Sequence, residues 1–176
     1  KTRLIFGVGV DAEKFSSKPI SHTIPLVILP ARMLWDKGVG DFVRCAQRCI
    51  NYKIHVRFAL IGDPDLHNPE CIPELQLKEW VDQGVIEWWK KKNNMPEVYS
   101  LADIVCFPSY HEGLPKTLLE AASCELPIVS YDVSGCREVV KDKVNGFLVP
   151  FKDEDALFIA VMDLLRDSSL RHKMGV

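Results

Sequence analysis

Apolar and polar positions along the chain alternate between two periods. Short runs rich in β-branched and aromatic residues recur at 25–30 (PLVILP), 54–61 (IHVRFALI), 85–89 (VIEWW), 103–108 (DIVCFP), 127–131 (PIVSY) and 146–149 (GFLV), and they predict six strands. Several are apolar at every position instead of every second one. That is the pattern of strands covered on both faces, hence of a parallel sheet. Amphipathic segments lie between them, clearest over 38–50, where Val39, Phe42, Val43, Ala46 and Ile50 repeat at i, i+3, i+4 and i+7. Further helices are predicted at 72–83, 95–101, 115–124, about 135–141, and 153–166. Asp153 stands at an N-cap position, and Pro115 suits a first turn because its missing N–H would be unpaired there anyway.

Six strand–helix units without an internal repeat predict an α/β fold, a Rossmann-like doubly wound domain with a six-stranded parallel sheet. Ligands of such folds sit beyond the carboxyl ends of the strands, which directs attention to the loops 31–38, 62–69, 90–95, 109–115 and 132–137. Residues 1–21 end in a polar stretch with Ser16, Ser17, Pro19 and Ser21 and are read as an interdomain connector, leaving 22–176 as the domain.

A chain of 176 residues, 47% apolar, can bury one core, so disorder is excluded as its main state. A net charge of −2 gives no global attraction to nucleic acid or anionic lipid, so an anionic ligand must be met by local cations or backbone dipoles. The six cysteines form no CxxC pair, and several lie in apolar runs; they predict reduced thiols in a cytoplasm. Cys45 and Cys49 share a helix face, but no further His or Cys stands nearby to complete a metal site, and burial as small apolar groups is the simpler reading. No apolar run is long enough to span a bilayer.

Neither G-x-G-x-x-G nor the phosphate-binding GxxxxGK[ST] is present. After the first strand the chain instead reads Ala31-Arg32-Met33-Leu34-Trp35-Asp36-Lys37-Gly38, with two cations around the start of the next helix. A guanidinium fork and an ammonium can together neutralise a diphosphate without a metal ion. From spacing alone, an ordinary surface pair with Asp36 serves equally well. Glu112 and Glu120 stand eight residues apart, and so do Glu79 and Glu87, so spacing alone decides nothing. Context separates the pairs. Glu79 and Glu87 run from a helix into a strand, whereas Glu112 lies in a carboxyl-end loop and Glu120 on the helix that follows. The free N–H groups of that helix's first turn form a seat for a diphosphate, and the flanking carboxylates could accept sugar and ribose hydroxyls. Asp63-Pro64-Asp65 and Asp153-Glu154-Asp155 both match the D-x-D pattern that holds a divalent ion, but the first reads as a polar turn and the second as a helix start.

The stretch 108–129 (PSYHEGLPKTLLEAASCELPIV) resembles the donor-binding domain of retaining glycosyltransferases of the GT-B fold, in particular glycosyltransferase family four, with Glu112 and Glu120 on its E-x7-E motif. The resemblance continues through 132–140 (DVSGCREVV) and 145–150 (NGFLVP), backward to Arg32 and Lys37-Gly38, and to Gly7-Val8-Gly9-Val10-Asp11 in place of the family's interdomain hinge. It covers nearly the whole chain, and it implies that the acceptor-binding half lies outside it. By that resemblance Arg32 and Lys37 bind the diphosphate of a nucleoside-diphosphate sugar and Glu120 takes the ribose hydroxyls. Glu112 is the catalytic residue, positioning the transferred sugar and lending electrostatic support to an oxocarbenium-like state, with no nucleophilic role assigned to it. Gly113, Leu114, Lys116, Thr117 and Leu118 supply the cradle behind it, and Gly62, Lys90 and His111 complete the substrate-binding set, although three successive lysines at Lys90 are more often a solvated loop and His111 reads equally as an ordinary loop imidazole.

No cofactor or metal is implied, and transfer retains the anomeric configuration. The wording S-Y-x-E-G-L-P resembles bacterial enzymes that build surface polysaccharide on lipid carriers, which implies a UDP-sugar donor, a glycan or lipid-linked acceptor, and action in the cytoplasm at the face of the inner membrane. Three departures bear on this. Pro115 replaces a glycine and removes one backbone donor, Gly62-Asp63-Pro64 stiffens the second loop, and Trp88-Trp89-Lys90-Lys91-Lys92 stands where relatives carry glycine near the base. Alternative functions are a nucleotide-sugar epimerase of the same fold, a noncatalytic nucleotide-sugar module, and a flavodoxin-like regulatory domain. The chain alone is expected to bind donor weakly and to transfer nothing.

Overall fold

The computed structural model describes residues 9–16, 20 and 23–176. Most of the expected connector, Gly7, Val8, Ser17, Pro19 and Ser21 included, lies outside the described residues. The strands are β1 (Leu26–Pro30), β2 (Arg57–Ile61), β3 (Glu87–Trp88), β4 (Ile104–Phe107), β5 (Ile128–Tyr131) and β6 (Gly146–Val149). They form one parallel sheet in the order β3-β2-β1-β4-β5-β6. The first three strands wind one way from β1 and the last three wind the other, so the chain switches direction between β1 and β4. The doubly wound α/β expectation holds.

The interior strands β1, β4 and β5 are buried along their whole length, β1 and β4 through apolar residues alone and β5 with the polar Ser130 buried among them. Each fully buried Leu or Ile there contributes about 1.5–3 kcal/mol relative to exposure. Strand ends differ from expectation where polar residues intervene. β2 begins at Arg57, after a turn with Lys53 at φ 56 and Ile54 bonded back to Cys49. β3 keeps only the edge residues Glu87 and Trp88, because the Val85 N–H goes to the Trp80 carbonyl at the end of the preceding helix.

The helices are α1 (Val39–Asn51), α2 (Glu74–Asp82), α3 (Met95–Ser100), α4 (Lys116–Ser123), α5 (Ser134–Arg137), α6 (Glu154–Arg166) and α7 (Ser168–Gly175). On α1 the buried stripe takes in Cys45 and Cys49, whereas Ile50 is exposed; both thiols pack as core groups, with Cys49 Sγ 4.0 Å from Met162 Sδ. Helix α5 is a single turn, shorter than expected, because Asn145 reaches back to the Val139 carbonyl and the Lys141 N–H and diverts the chain. Helix α7 was not anticipated. Asp167 caps it through the Leu170 N–H, and Gly175 meets the Glu125 carbonyl so closely that a Cβ would stand 1.9 Å from the oxygen.

Candidate functional site

The site is assembled at the switch between β1 and β4. After β1 the chain makes one 3-10 turn, Trp35–Lys37, which Gly38 ends in the left-handed conformation at φ 68. A Cβ on Gly38 would stand 1.9 Å from the Pro108 carbonyl oxygen, so only glycine lets this turn lie on the end of β4. The contact delivers Lys37. Its Nζ donates to Glu112 Oε1 at 2.8 Å and to the His111 carbonyl at 3.2 Å, while Ser109 Oγ donates to the same carboxylate oxygen at 2.6 Å. The Tyr110 N–H closes the junction on the Asp36 carbonyl at 2.9 Å. Lys37 and Glu112 are largely buried, at 16% and 13% side-chain exposure, which makes theirs a stronger contact than a surface pair.

The loop after β4 is also held from its other side. Gly135 of α5 lies so near that a Cβ would stand 2.4 Å from the Gly113 carbonyl oxygen and 2.5 Å from that of Glu112. Pro115 caps α4, one position earlier than the expected start inside the helix, and its carbonyl accepts the Leu118 N–H. Among the described residues the N–H groups of Gly113, Leu114, Lys116 and Thr117 have no protein partner, which leaves a donor-rich helix end facing the loop. One turn on, the buried Glu120 carboxylate accepts the Tyr99 phenol at 3.1 Å, with the Lys116 ammonium 3.5 Å away.

A groove of two lobes runs across these ends. The smaller, about 270 Å³, is lined by Lys37, Phe107, Glu112, Leu114, Pro115 and Lys116; the larger, about 650 Å³, by residues 61–67, Lys91, Lys92, Met95, Tyr99 and Glu120. Pro30, Ala31, Arg32 and Thr117 border both. Each lobe thus holds one glutamate of the eight-residue pair, and Arg32 stands at their junction. A phosphate chain lying across that junction would meet two cations and a helix N-terminus, with a carboxylate at each end to accept hydroxyls.

The structure brings most of the sequence-derived candidates to this groove. Arg32 is exposed and paired to Asp65 at 2.7 Å. Gly62, at φ 150, permits the close approach of the second loop to the Ala31 carbonyl and accepts the Trp88 indole N–H at 2.8 Å. Gly113 is exposed on the loop. Three candidates contribute differently from expectation. Leu118 is wholly buried and its N–H is taken by Pro115, so it turns no polar atom to the groove. His111 presents its imidazole to solvent and offers only its carbonyl, to Lys37. Lys90 swings its ammonium over the Trp88 ring, 5.1 Å from the centroid, and its neighbours Lys91 and Lys92 line the groove instead.

Both D-x-D groups are engaged by protein donors. Asp63 accepts the Lys91 N–H and Asp65 holds Arg32, while Asp153 caps α6 and Glu154 and Asp155 pair with Arg44 and Arg48. The other glutamate pair lines neither lobe, as context predicted: Glu87 accepts Arg57 Nε and Nη2, and these bonds with that of the Trp89 indole hold its carboxyl below the usual range.

Sequence reasoning passed over Ser109, Tyr99 and a buried cluster beneath the Glu112 loop. Asp41 of α1 is 2% exposed and accepts the Tyr131 phenol at 2.7 Å, the Tyr110 phenol at 3.2 Å, and the Arg44 guanidinium. Burial, and then the Asp41 charge, push the Tyr110 phenol up to about 12. Tyr99 is also raised, chiefly by burial and next by Glu120, so it remains a donor at neutral pH. Only the place of Ser109, three residues before Glu112, could have drawn notice; Tyr99 and Asp41 read as ordinary helix positions.

A family model described as glycosyl transferases group 1 matches residues 10–176. The chain is 33% identical over 147 residues to the N,N'-diacetylbacillosaminyl-diphospho-undecaprenol alpha-1,3-N-acetylgalactosaminyltransferase of Campylobacter jejuni, a match covering 84% of this chain and 37% of that enzyme. It is 28% identical over 178 residues to the UDP-Gal:alpha-D-GlcNAc-diphosphoundecaprenol alpha-1,3-galactosyltransferase of Escherichia coli, covering 92% of this chain and 45% of that one. The chain therefore spans less than half the length of these curated relatives. Among solved structures, Anabaena HepE in complex with UDP and glucose superimposes with a TM-score of 0.81 at 19% identity, covering 95% of this chain and 48% of that one, and a glycosyltransferase from Rickettsia africae with a TM-score of 0.83 at 18% identity, covering 98% and 50%. Such likeness establishes the fold, one Rossmann-like half of the GT-B architecture. Fold and family model agree, and this chain belongs to the glycosyl transferases of group 1.

Proposed function

We propose that the chain is the donor-binding half of an enzyme that moves a sugar from a UDP-sugar to a glycan or lipid-linked acceptor with retention of configuration, in polysaccharide biosynthesis at the cytoplasmic face of a membrane. The observation that carries this reading is the junction of the two lobes, where Arg32, Lys37 and the free N–H groups of α4 converge. The diphosphate lies across it and needs no metal. Glu120 accepts the ribose hydroxyls in the larger lobe, and Glu112 positions the sugar and supports positive charge as the glycosidic bond loosens. Lys37 is then placed to stabilise the departing diphosphate, which takes the acceptor proton on the face where the acceptor attacks. The printed names of the two relatives support a lipid-diphosphate acceptor, and the UDP and glucose held by HepE support the donor. The acceptor site belongs to the half that this chain does not span.

Calorimetric titration with UDP, GDP and ADP in EDTA tests it. UDP is expected to bind without metal, and Arg32→Ala or Glu120→Gln to weaken it about tenfold, the size of one charged hydrogen bond. Binding that requires a divalent ion, or that neither substitution affects, would reject the assignment. Failure of the isolated chain to bind any nucleotide, repeated in the whole enzyme, would favour a regulatory α/β domain. Product from the whole enzyme with an inverted anomeric carbon would remove retention alone.

A further inference from the structure

Tyr99 is 1% exposed, and its hydroxyl is its one side-chain polar atom. The hydroxyl carries a single proton and faces two acceptors, Glu120 Oε2 at 3.1 Å and the Thr117 carbonyl at 3.2 Å. The carbonyl lies inside α4, where the helix ladder already uses it, and a carboxylate is the stronger acceptor. The ring has little freedom to turn away. Phe15 packs edge-on against it with centroids 6.0 Å apart, and the Phe15 carbonyl is itself held by Ser123 Oγ at 2.6 Å. Tyr99 is therefore a fixed donor beneath one oxygen of Glu120. Among the described residues the other oxygen has only the exposed Lys116 at 3.5 Å, and Glu120, Thr117 and Tyr99 form one wall of the larger lobe.

We infer that Tyr99 is a positioning residue for sugar recognition in the nucleotide: by holding Oε2 it sets the plane in which Glu120 meets the vicinal diol of the ribose. The inference rests on the proposed role of Glu120 and goes beyond it. A free glutamate on a helix samples several rotamers and loses that freedom when a diol binds; one pinned from below has lost it already. Two hydroxyls on adjacent carbons can then be accepted together, whereas a ligand without them gains nothing from the arrangement.

The test compares UDP with 2′,3′-dideoxy-UDP in wild type, Tyr99→Phe, Glu120→Gln and the double variant. The ratio of the two affinities cancels any loss of folded protein. Wild type is expected to prefer UDP by tenfold or more, and Tyr99→Phe to lower that ratio about tenfold through UDP alone. In the Glu120→Gln background the same change should alter UDP affinity less than about twofold, because the phenol no longer acts through a carboxylate. Equal weakening of both nucleotides by Tyr99→Phe, or failure of that variant to fold, would leave Tyr99 a structural residue and overturn the inference. A wild type indifferent to the diol would instead remove the ribose role of Glu120 itself. A ratio preserved in Tyr99→Phe would remove only the part assigned to Tyr99.

Discussion

Lys37 and Glu112, 75 residues apart in sequence, meet at 2.8 Å in the smaller lobe of the groove. The ion pair occupies the ammonium that a diphosphate would need, so donor binding and the Glu112 contact compete for the same charge. Glu112→Gln should release Lys37 and strengthen binding of bare UDP about two- to fivefold, while abolishing any preference for UDP-sugar over UDP. Lys37→Met should do the opposite, weakening UDP about tenfold, and it leaves Glu112 with Ser109 Oγ as its remaining donor among the described side chains, at a cost of about 1–3 kcal/mol in stability. Calorimetry with UDP and UDP-glucose, together with thermal melts, reads both effects. Equal losses of UDP in the two variants would show that the pair acts as one structural unit.

Arg32 and Asp65 form the corresponding pair at the outer rim, but with side chains 59% and 31% exposed. Water and salt weaken such a contact to about 0–1 kcal/mol. Asp65→Asn should therefore raise UDP affinity less than about fivefold in low salt, and the gain should disappear at about 0.5 M salt. Titrations at the two ionic strengths decide it; a gain that survives high salt would mean that Asp65 acts by shape instead of charge.

Gly38 should not tolerate a side chain. Alanine there must adopt φ 68 and place its Cβ against the backbone oxygen of Pro108, which no rotamer change can relieve. A cost of about 3 kcal/mol or more is expected, near 6–12 °C in Tm for a domain of this size. The turn bearing Lys37 must also lift off β4, so folded Gly38→Ala should bind UDP as poorly as Lys37→Met. A variant that melts early yet binds normally would separate the fold role of Gly38 from the site.

What the sequence made legible follows from where each signal arises. The all-apolar runs of β1 and β4 announced a covered parallel sheet because burial on both faces leaves no polar alternation. The two glutamates were separable from the Glu79 and Glu87 decoy because a loop followed by a helix differs in composition from a helix followed by a strand. Partners were not legible. That Arg32 would meet Asp65, or that Lys90 would stack on Trp88 and leave the groove to Lys91 and Lys92, depends on how neighbouring loops pack after the sheet has formed. The Asp41 cluster joins α1, the loop after β4 and the end of β5, and no local pattern marks such a junction.

That cluster predicts the alkaline limit of the fold. Tyr110 is raised to about 12 by burial and by Asp41, and Tyr131 is raised further by the same causes. Burial also lifts the Cys124 and Cys136 thiols to about 11. In every case the folded state holds a proton that the unfolded chain would release earlier. Their contributions are complete below the unfolded pKa and are lost as pH rises toward the folded one. The thiols should begin to count against the fold above about pH 9 and Tyr110 between about 10 and 12. Tm should be level from pH 7 to 9 and fall increasingly beyond it, as read by circular dichroism. Tyr110→Phe should lower Tm at pH 8, because Asp41 loses a donor, yet flatten the descent above pH 10. A wild-type Tm unchanged to pH 11 would mean that these groups ionise without regard to folding, and an equal descent in Tyr110→Phe would move the cause from the phenol to the thiols.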